Sequence, residues 1–203
     1  MGSFGVYAAK ISARLMSSNE IYSRESLLEA IQAGRKFEYI FFWGHRPTED
    51  GSISASCCSQ WFEAGFDVDG QFYPTAEHFM MAQKARLFAD REMLGKILAS
   101  KTPNEAKAFG RKVRGFKEDI WNENCFEFVV KGNIEKFSQN PRLLHWLQGT
   151  RGKILVEASP TDAIWGIGMH RDDASCRNPS KWNGTNLLGF ALMKVRDQLF
   201  NKS

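Results

Sequence analysis

The sequence predicts an α+β protein, predominantly helical, in which a single domain surrounds a small β-sheet. Three observations carry this reading. Aromatic and β-branched runs come first, amphipathic runs of helical period follow, and a strand and a helix close the chain. Asp69-Gly70 stands between two apolar runs, the signature of a tight hairpin. No low-complexity linker divides the 203 residues, a length that fits one domain with a sizeable core.

The elements follow in order. "SRESLLEAIQAG" has apolar residues at helical spacing after a Ser23 cap and ends at Gly34, so a short helix precedes the domain proper. The expected division is therefore a leader and short helix over 1–36 and a domain over 37–203. "KFEYIFFWGH" reads as a strand and "GFDVDGQFYP" as the hairpin. "TPNEAKAFG" offers Thr102 as N-cap, Pro103 at the first helical position and Glu105 to complete a capping box. "WNENCFEFVVKGNIEKF" is a further helical run, and "NPRLLHWLQG" starts at Asn140-Pro141 and stops at Gly149. "GKILVEAS" returns to strand. "TNLLGFALMKVRDQLF" puts Leu187, Leu188, Ala191, Leu192, Val195 and Leu199 on one apolar stripe of a terminal helix.

The helix of "YPTAEHFMMAQKARLF" poses the functional question. If it begins near Thr75, then Glu77, Met81 and Lys84 share a face, while Phe79, Met80, Ala82, Leu87 and Phe88 make the remaining registers apolar. A carboxylate and an ammonium are thus predicted on a largely buried helix.

Composition sets bounds. A net charge of +4 suits a phosphate-bearing ligand but falls short of the dense basic fields of nucleic-acid binders. Cys57, Cys58, Cys125 and Cys176 contain no CxxC pair, and the four histidines are scattered, so no zinc spacing is seen and no metal or cofactor is expected. Adjacent Cys57 and Cys58 read as reduced and packed, which points to a reducing compartment and a cytoplasmic protein. No run has the apolar length of a membrane span. Residues 1–19 are basic and Ser-bearing with no acid, the composition of an organelle import leader and equally of a plain tail.

Four segments are polar beyond what their context requires. "AEHFMMAQKAR" carries Glu77 and Lys84. "GRKVRGFKEDIW" carries Arg111 and Arg114 ahead of Trp121. "EASPTDAIWGIGM" places Asp162 and Trp165 on a loop whose glycines permit close backbone approach. "NPSKWNGTNLLG" sets Lys181 and Asn186 at a helix start, where free N–H groups favour an anion. Each has a plain alternative: a dipole contact for Glu77, a turn cap for Asp162, a solvated face for the basic run and core packing for the tryptophans. Taken together, two carboxylates, basic groups and aromatics are what cleavage of a bond between a sugar and a nitrogen base requires. That reaction develops oxocarbenium charge, which a carboxylate stabilises while it activates water.

The blocks "FFWGHRP", "SQWFEAGFDVDGQFYPTAEHFMMAQKA", "GRKVRGF", "LLHWLQGTRGKILVEASPTDAIWGIGM" and "NGTNLLGFALMKVRDQL" resemble the NADAR, or YbiA-like, family over about residues 38 to 200. The resemblance implies a YbiA-like α+β fold and N-glycoside hydrolysis; with no metal ligand set visible in the sequence, the reaction is expected to be metal-independent. Family members cleave aminouracil ribosyl phosphates of early riboflavin synthesis, and others remove ADP-ribose from guanine bases. It also implies Glu77 and Asp162 as catalytic carboxylates, without saying which is acid and which is base. Trp121 and Trp165 are then expected to hold the planar base, with Lys84, Arg46, Arg111, Arg114, Lys181 and Asn186 as further substrate-binding residues. Two blocks depart from the family's wording. Cys58-Ser59-Gln60-Trp61 stands where many bacterial relatives read L-S-N-F, and "MMAQKA" replaces "YYQAQK", so base specificity does not carry over.

The expected function is therefore hydrolysis of a phosphorylated riboside. The alternatives are an ADP-ribosyl glycohydrolase acting on guanine-linked ADP-ribose and a non-catalytic module binding NAD-derived nucleotides. A small phosphorylated riboside or ADP-ribose-type ligand is the expected partner, with nucleic acid arising only under the glycohydrolase alternative.

Overall fold

The computed structural model describes residues 20–201, so the leader expected over residues 1–19 lies outside the described residues. In chain order the elements are α1 (Arg24–Gln32), β1 (Tyr39–Phe42), β2 (Phe66–Val68), β3 (Gln71–Tyr73), α2 (Ala76–Leu87), α3 (Arg91–Ala99), α4 (Pro103–Gly110), α5 (Glu118–Ser138), α6 (Pro141–Gln148), β4 (Ile154–Glu157) and α7 (Leu187–Phe200). Short 3-10 turns cover Ala55–Cys58 and Pro179–Lys181. The α+β class holds, and among the described residues its β content is two separate two-stranded sheets, β1 with β4 and β2 with β3.

Local chemistry sets most boundaries. Ser23 accepts from the Ser26 N–H and Ser26 reciprocates, which fixes the start of α1. Gly34, at φ 87°, leaves the helix through the left-handed region. Asp69 and Gly70 both have positive φ, 52° and 79°, as a two-residue hairpin turn demands, and the register pairs Phe66 with Tyr73 and Val68 with Gln71. At α4 the expected capping box is only half present. Thr102 Oγ1 accepts from the Glu105 N–H, but Glu105 reaches past the cap to the Lys101 N–H at 2.8 Å. Helix α3, absent from the sequence reading, starts where Asp90 Oδ1 accepts from the Met93 N–H.

The chain divides into two compact units. One comprises residues 20–41 with Gly152–Met193. Its β4 buries Ile154, Leu155 and Val156, and the Ile154 N–H donates to Glu38 O at 2.8 Å. Helix α1, grouped with the leader in the sequence reading, packs within this unit: Leu27 is fully enclosed, and Arg24 Nε donates to Pro179 O at 2.8 Å.

The other unit comprises Phe42–Arg151 with residues 194–201. Its centre is α2, packed by α3, α4 and α5. Eight α2 residues are buried, from Ala76 through Ala82 and Ala85. Two glycines let the helices close on the large α2 side chains. A Cβ on Gly110 would stand 2.1 Å from Met81 Sδ, and one on Gly132 would stand 2.6 Å from the Phe79 ring. Phe79 also meets Tyr73 edge-on at 5.1 Å and Phe66 at 6.0 Å, which joins the hairpin to the same core.

Candidate active site

The site is built on α2. Thr75 has the extended backbone of an N-cap, and its hydroxyl lies 2.8 Å from His78 Nδ1. Glu77 follows in the first turn and is buried at 5% exposure. Its N–H donates to Gln60 O at 2.9 Å, which ties the helix start to the loop after the Ala55–Cys58 turn. Met81, one turn on, is the core residue seated on Gly110, which explains a thioether between two charged groups.

Two turns from Glu77, Lys84 is half-buried. Its Nζ stands 4.1 Å from the Phe116 ring centroid and 5.5 Å from that of Trp121. Burial pushes the Lys84 ammonium below its ordinary value, and the positive charge of Arg111 pushes in the same direction. Phe116 is large, apolar and 43% exposed, and Trp121 is half-buried at the start of α5. The result is an open aromatic surface with a partly desolvated cation on it. Such a surface offers ring faces to a planar ligand and a charge to an anion. Sequence reasoning missed Phe116, although it sits in the quoted "GRKVRGF" block. Gly115, at φ 69°, turns the chain there, and attention to that turn residue was the available signal.

Two further groups that the sequence reading missed hold this surface in place. Asp90 caps α3 and accepts from Arg114 Nε at 3.0 Å and Nη2 at 2.7 Å as well as from the Arg114 N–H at 2.9 Å. The bonds from Arg114 hold the Asp90 carboxyl far below the usual carboxylate range. Arg114 is thus committed to fixing the strand of chain that carries Phe116. Lys136 is completely buried, and its ammonium donates to Cys57 O at 2.7 Å and Ser59 O at 2.8 Å. Burial pushes it down to about 8, with Cys57 and Cys58 acting in the opposite sense. It clamps the loop whose next carbonyl, that of Gln60, receives the Glu77 N–H. Trp61 follows, with His45 at 5.6 Å and Lys107 Nζ at 5.7 Å from its ring. Arg46 and Arg111 are exposed in the same unit.

The remaining expected residues belong to the other unit. Asp162 Oδ1 accepts from the Ile164 N–H at 2.9 Å and the Trp165 N–H at 2.8 Å, so the carboxylate caps its own loop. Trp165 is half-buried on that loop and Lys181 is exposed. The close approach allowed by the loop glycines is of backbone to backbone: a Cβ on Gly184 would stand 2.3 Å from Gly166 O. The N–H groups expected to be free at the start of α7 are taken. Those of Thr185, Asn186, Leu187 and Leu188 donate to Ala163, Gly166, Ile164 and Trp165 carbonyls, leaving none of the four for an anion. Asn186, fully buried at φ 58°, uses its amide to hold β4, accepting from the Glu157 N–H and donating to Leu155 O, both at 2.9 Å. A short polar side chain that tolerates the left-handed region suits that duty.

Among the described residues no helix is long and apolar enough to cross a membrane. The family model of the NADAR domain matches residues 41–200. The chain is 42% identical over 166 residues to N-glycosidase R617 of Acanthamoeba polyphaga mimivirus, covering 79% of this chain and 96% of that protein. It is 32% identical over 142 residues to the chloroplastic riboflavin biosynthesis protein PYRR of Zea mays, covering 66% of this chain and 21% of that longer protein. N-glycosidase YbiA of Escherichia coli is 33% identical over 132 residues. Its solution structure superposes with a TM-score of 0.63 at 28% identity over 81% of this chain and 86% of that one. With its fold and most of its length matched, the chain belongs to the NADAR family.

Proposed function

We propose that this chain hydrolyses the bond between a phosphorylated ribose and a planar nitrogen base, with an aminouracil ribosyl phosphate of riboflavin synthesis as the substrate. Membership of the family, together with relatives named N-glycosidase, makes it an N-glycoside hydrolase. The riboflavin assignment draws on the name of the maize relative. The observation that carries the substrate class is Lys84: a half-buried ammonium lies against Phe116 and Trp121 on the helix that also buries Glu77.

In the reaction, the C1′–N bond breaks and its electron pair leaves with the base nitrogen, which takes up a proton. Water adds to C1′ and loses a proton, giving ribose 5-phosphate and free base. Glu77 stabilises the positive charge growing on the sugar, and as a carboxylate it accepts the proton of the attacking water. Trp121 and Phe116 supply faces for the base, while Lys84 attracts the phosphate. A charge held in a partly dry setting binds an anion more strongly than one in bulk water. Remote phosphate binding then helps position C1′.

The test measures released base from an aminouracil ribosyl phosphate, from its dephosphorylated form and from ADP-ribosylated guanosine, with wild type and Lys84→Met. The expected result is turnover of the first, with the variant harming the phosphorylated substrate at least ten times more than the dephosphorylated one, about the effect of losing one charge-assisted contact. Equal damage to both would remove the phosphate role from Lys84. Turnover of the guanosine conjugate alone would replace the substrate with guanine-linked ADP-ribose.

A further inference from the structure

The Lys84 ammonium stands where a stacked base has to lie. Its Nζ is over the Phe116 ring at 4.1 Å from the centroid and over the Trp121 ring at 5.5 Å. A base stacked on Phe116 needs that face at van der Waals distance, about 3.5–4 Å. The ammonium and a base therefore exclude each other from it. Among the described residues these two rings are the partners of the ammonium, and no carboxylate or carbonyl of the protein fastens it. The positive charge of Arg111 acts against it as well. The ring beneath, by contrast, is fixed. The Arg114 N–H and guanidinium bond to Asp90, Gly115 turns the chain at φ 69°, and the Phe88 ring meets Phe116 edge-on at 5.4 Å. With Phe116 held and still 43% exposed, the movable part is the lysine, whose four-carbon stem rotates freely.

We infer that Lys84 selects phosphorylated ligands by covering the Phe116 face until an anion draws it away, so that the base binds well only in company with a phosphate. The inference rests on the N-glycosidase reading and deepens it, from which groups the substrate carries to how one of them admits the other. The hold of a ring face on a cation is weaker than a charge-assisted hydrogen bond to phosphate, so the phosphate takes the ammonium and the face is released. A base arriving without phosphate binds only the fraction of molecules in which the ammonium has swung off. Its apparent affinity falls by that fraction. The coupling is reciprocal, and a base on the ring strengthens phosphate binding by the same factor. The strength of a cation on an aromatic face sets that factor at about 3- to 10-fold.

The experiment titrates free aminouracil into the full chain by calorimetry, with inorganic phosphate and with chloride at the same ionic strength, for wild type, Lys84→Ala and Lys84→Arg. Phosphate is expected to tighten base binding about 3- to 10-fold in wild type. Lys84→Ala uncovers the ring. It should bind the base in chloride about threefold or more tighter than wild type does, with phosphate changing that affinity by less than about twofold. Lys84→Arg should keep the coupling, because a guanidinium both stacks on ring faces and binds phosphate. Wild-type affinity that phosphate leaves unchanged overturns the inference without any variant. A coupling that survives in Lys84→Ala overturns it too, and so does weaker binding of the base by Lys84→Ala than by wild type in chloride, since Lys84 would then support the base rather than cover its place. If no protein binds the base with phosphate present, the inference also falls. None of these readings depends on turnover. Coupling that disappears with Lys84 in a protein that leaves the riboside intact keeps the inference and removes the hydrolysis reading; turnover of the riboside without coupling removes the inference alone.

Discussion

Lys136 offers the sharpest physical test, because its environment converts directly into a pH-dependent stability. The side chain is fully enclosed, its two bonds go to the Cys57 and Ser59 carbonyls, and the rings of Phe62 and Phe137 lie 5.8 Å and 5.4 Å from Nζ. Burial takes it from 10.5 to about 8. At about 1.4 kcal/mol per pH unit, that difference amounts to about 3 kcal/mol. Between about 8 and 10.5 the unfolded chain keeps a proton on Lys136 that the folded chain has released, so folding gains stability as pH rises through that window. Below it the folded state carries the whole cost of the buried charge. Cys125 works the other way, since burial pushes its thiol from 9.0 up to about 11, and the folded protein then retains a proton that the unfolded chain loses. The two slopes largely cancel in the wild type. The measurement is therefore the difference between wild type and Lys136→Met, from urea unfolding followed by tryptophan fluorescence at steps from about pH 7 to about pH 11. The wild type should gain about 3 kcal/mol on the variant across the Lys136 window. A flat difference would mean that Lys136 ionises as an ordinary surface lysine does, and the clamp on the loop would lose its energetic basis.

Glu77→Gln keeps the shape of the side chain and removes its charge, so turnover should fall about two to three orders of magnitude with the urea midpoint nearly unchanged; near-normal turnover would make Glu77 a structural residue. Arg114→Ala should lower the melting temperature, with any rise in KM accompanying that loss as the Phe116 segment loosens, because the guanidinium is bonded to Asp90. The stabilisation from that pair should be complete above the ordinary carboxylate range and fade as pH falls into and below it, since the folded carboxyl is the more acidic; a raised KM with unaltered melting would return Arg114 to substrate binding. Asp162→Asn preserves an oxygen that can cap Ile164 and Trp165, so melting should hold while activity drops if the charge takes part in catalysis. Unchanged activity would leave Asp162 as a cap alone.

How much of this was legible in the sequence follows from the range of each interaction. Caps and turns act over three or four residues, so Ser23, Asp69-Gly70, Thr102 and the Asn140-Pro141 start could be read from local pattern alone. The burial of α2 was legible for a similar reason, since apolar residues in nearly every register leave no solvated face. What escaped depends on pairings across long stretches of chain. Nothing near Lys136 in sequence announces that its ammonium meets carbonyls 77 and 79 positions away; in an amphipathic run a lysine reads as surface. Arg114 looked available because Asp90 lies 24 residues upstream, and Asn186 looked like part of an anion site because its partners on β4 lie about 30 residues away. The same reasoning orders the candidate site. A residue whose polar atoms are all engaged within the protein is explained by folding, as Asn186 and Arg114 largely are. Lys84 is different: it is a half-buried cation, pushed below its ordinary value by burial, standing on the ring faces of Phe116 and Trp121. A ligand with an anionic group would meet that charge where water is partly excluded, and for that reason Lys84 carries the functional argument.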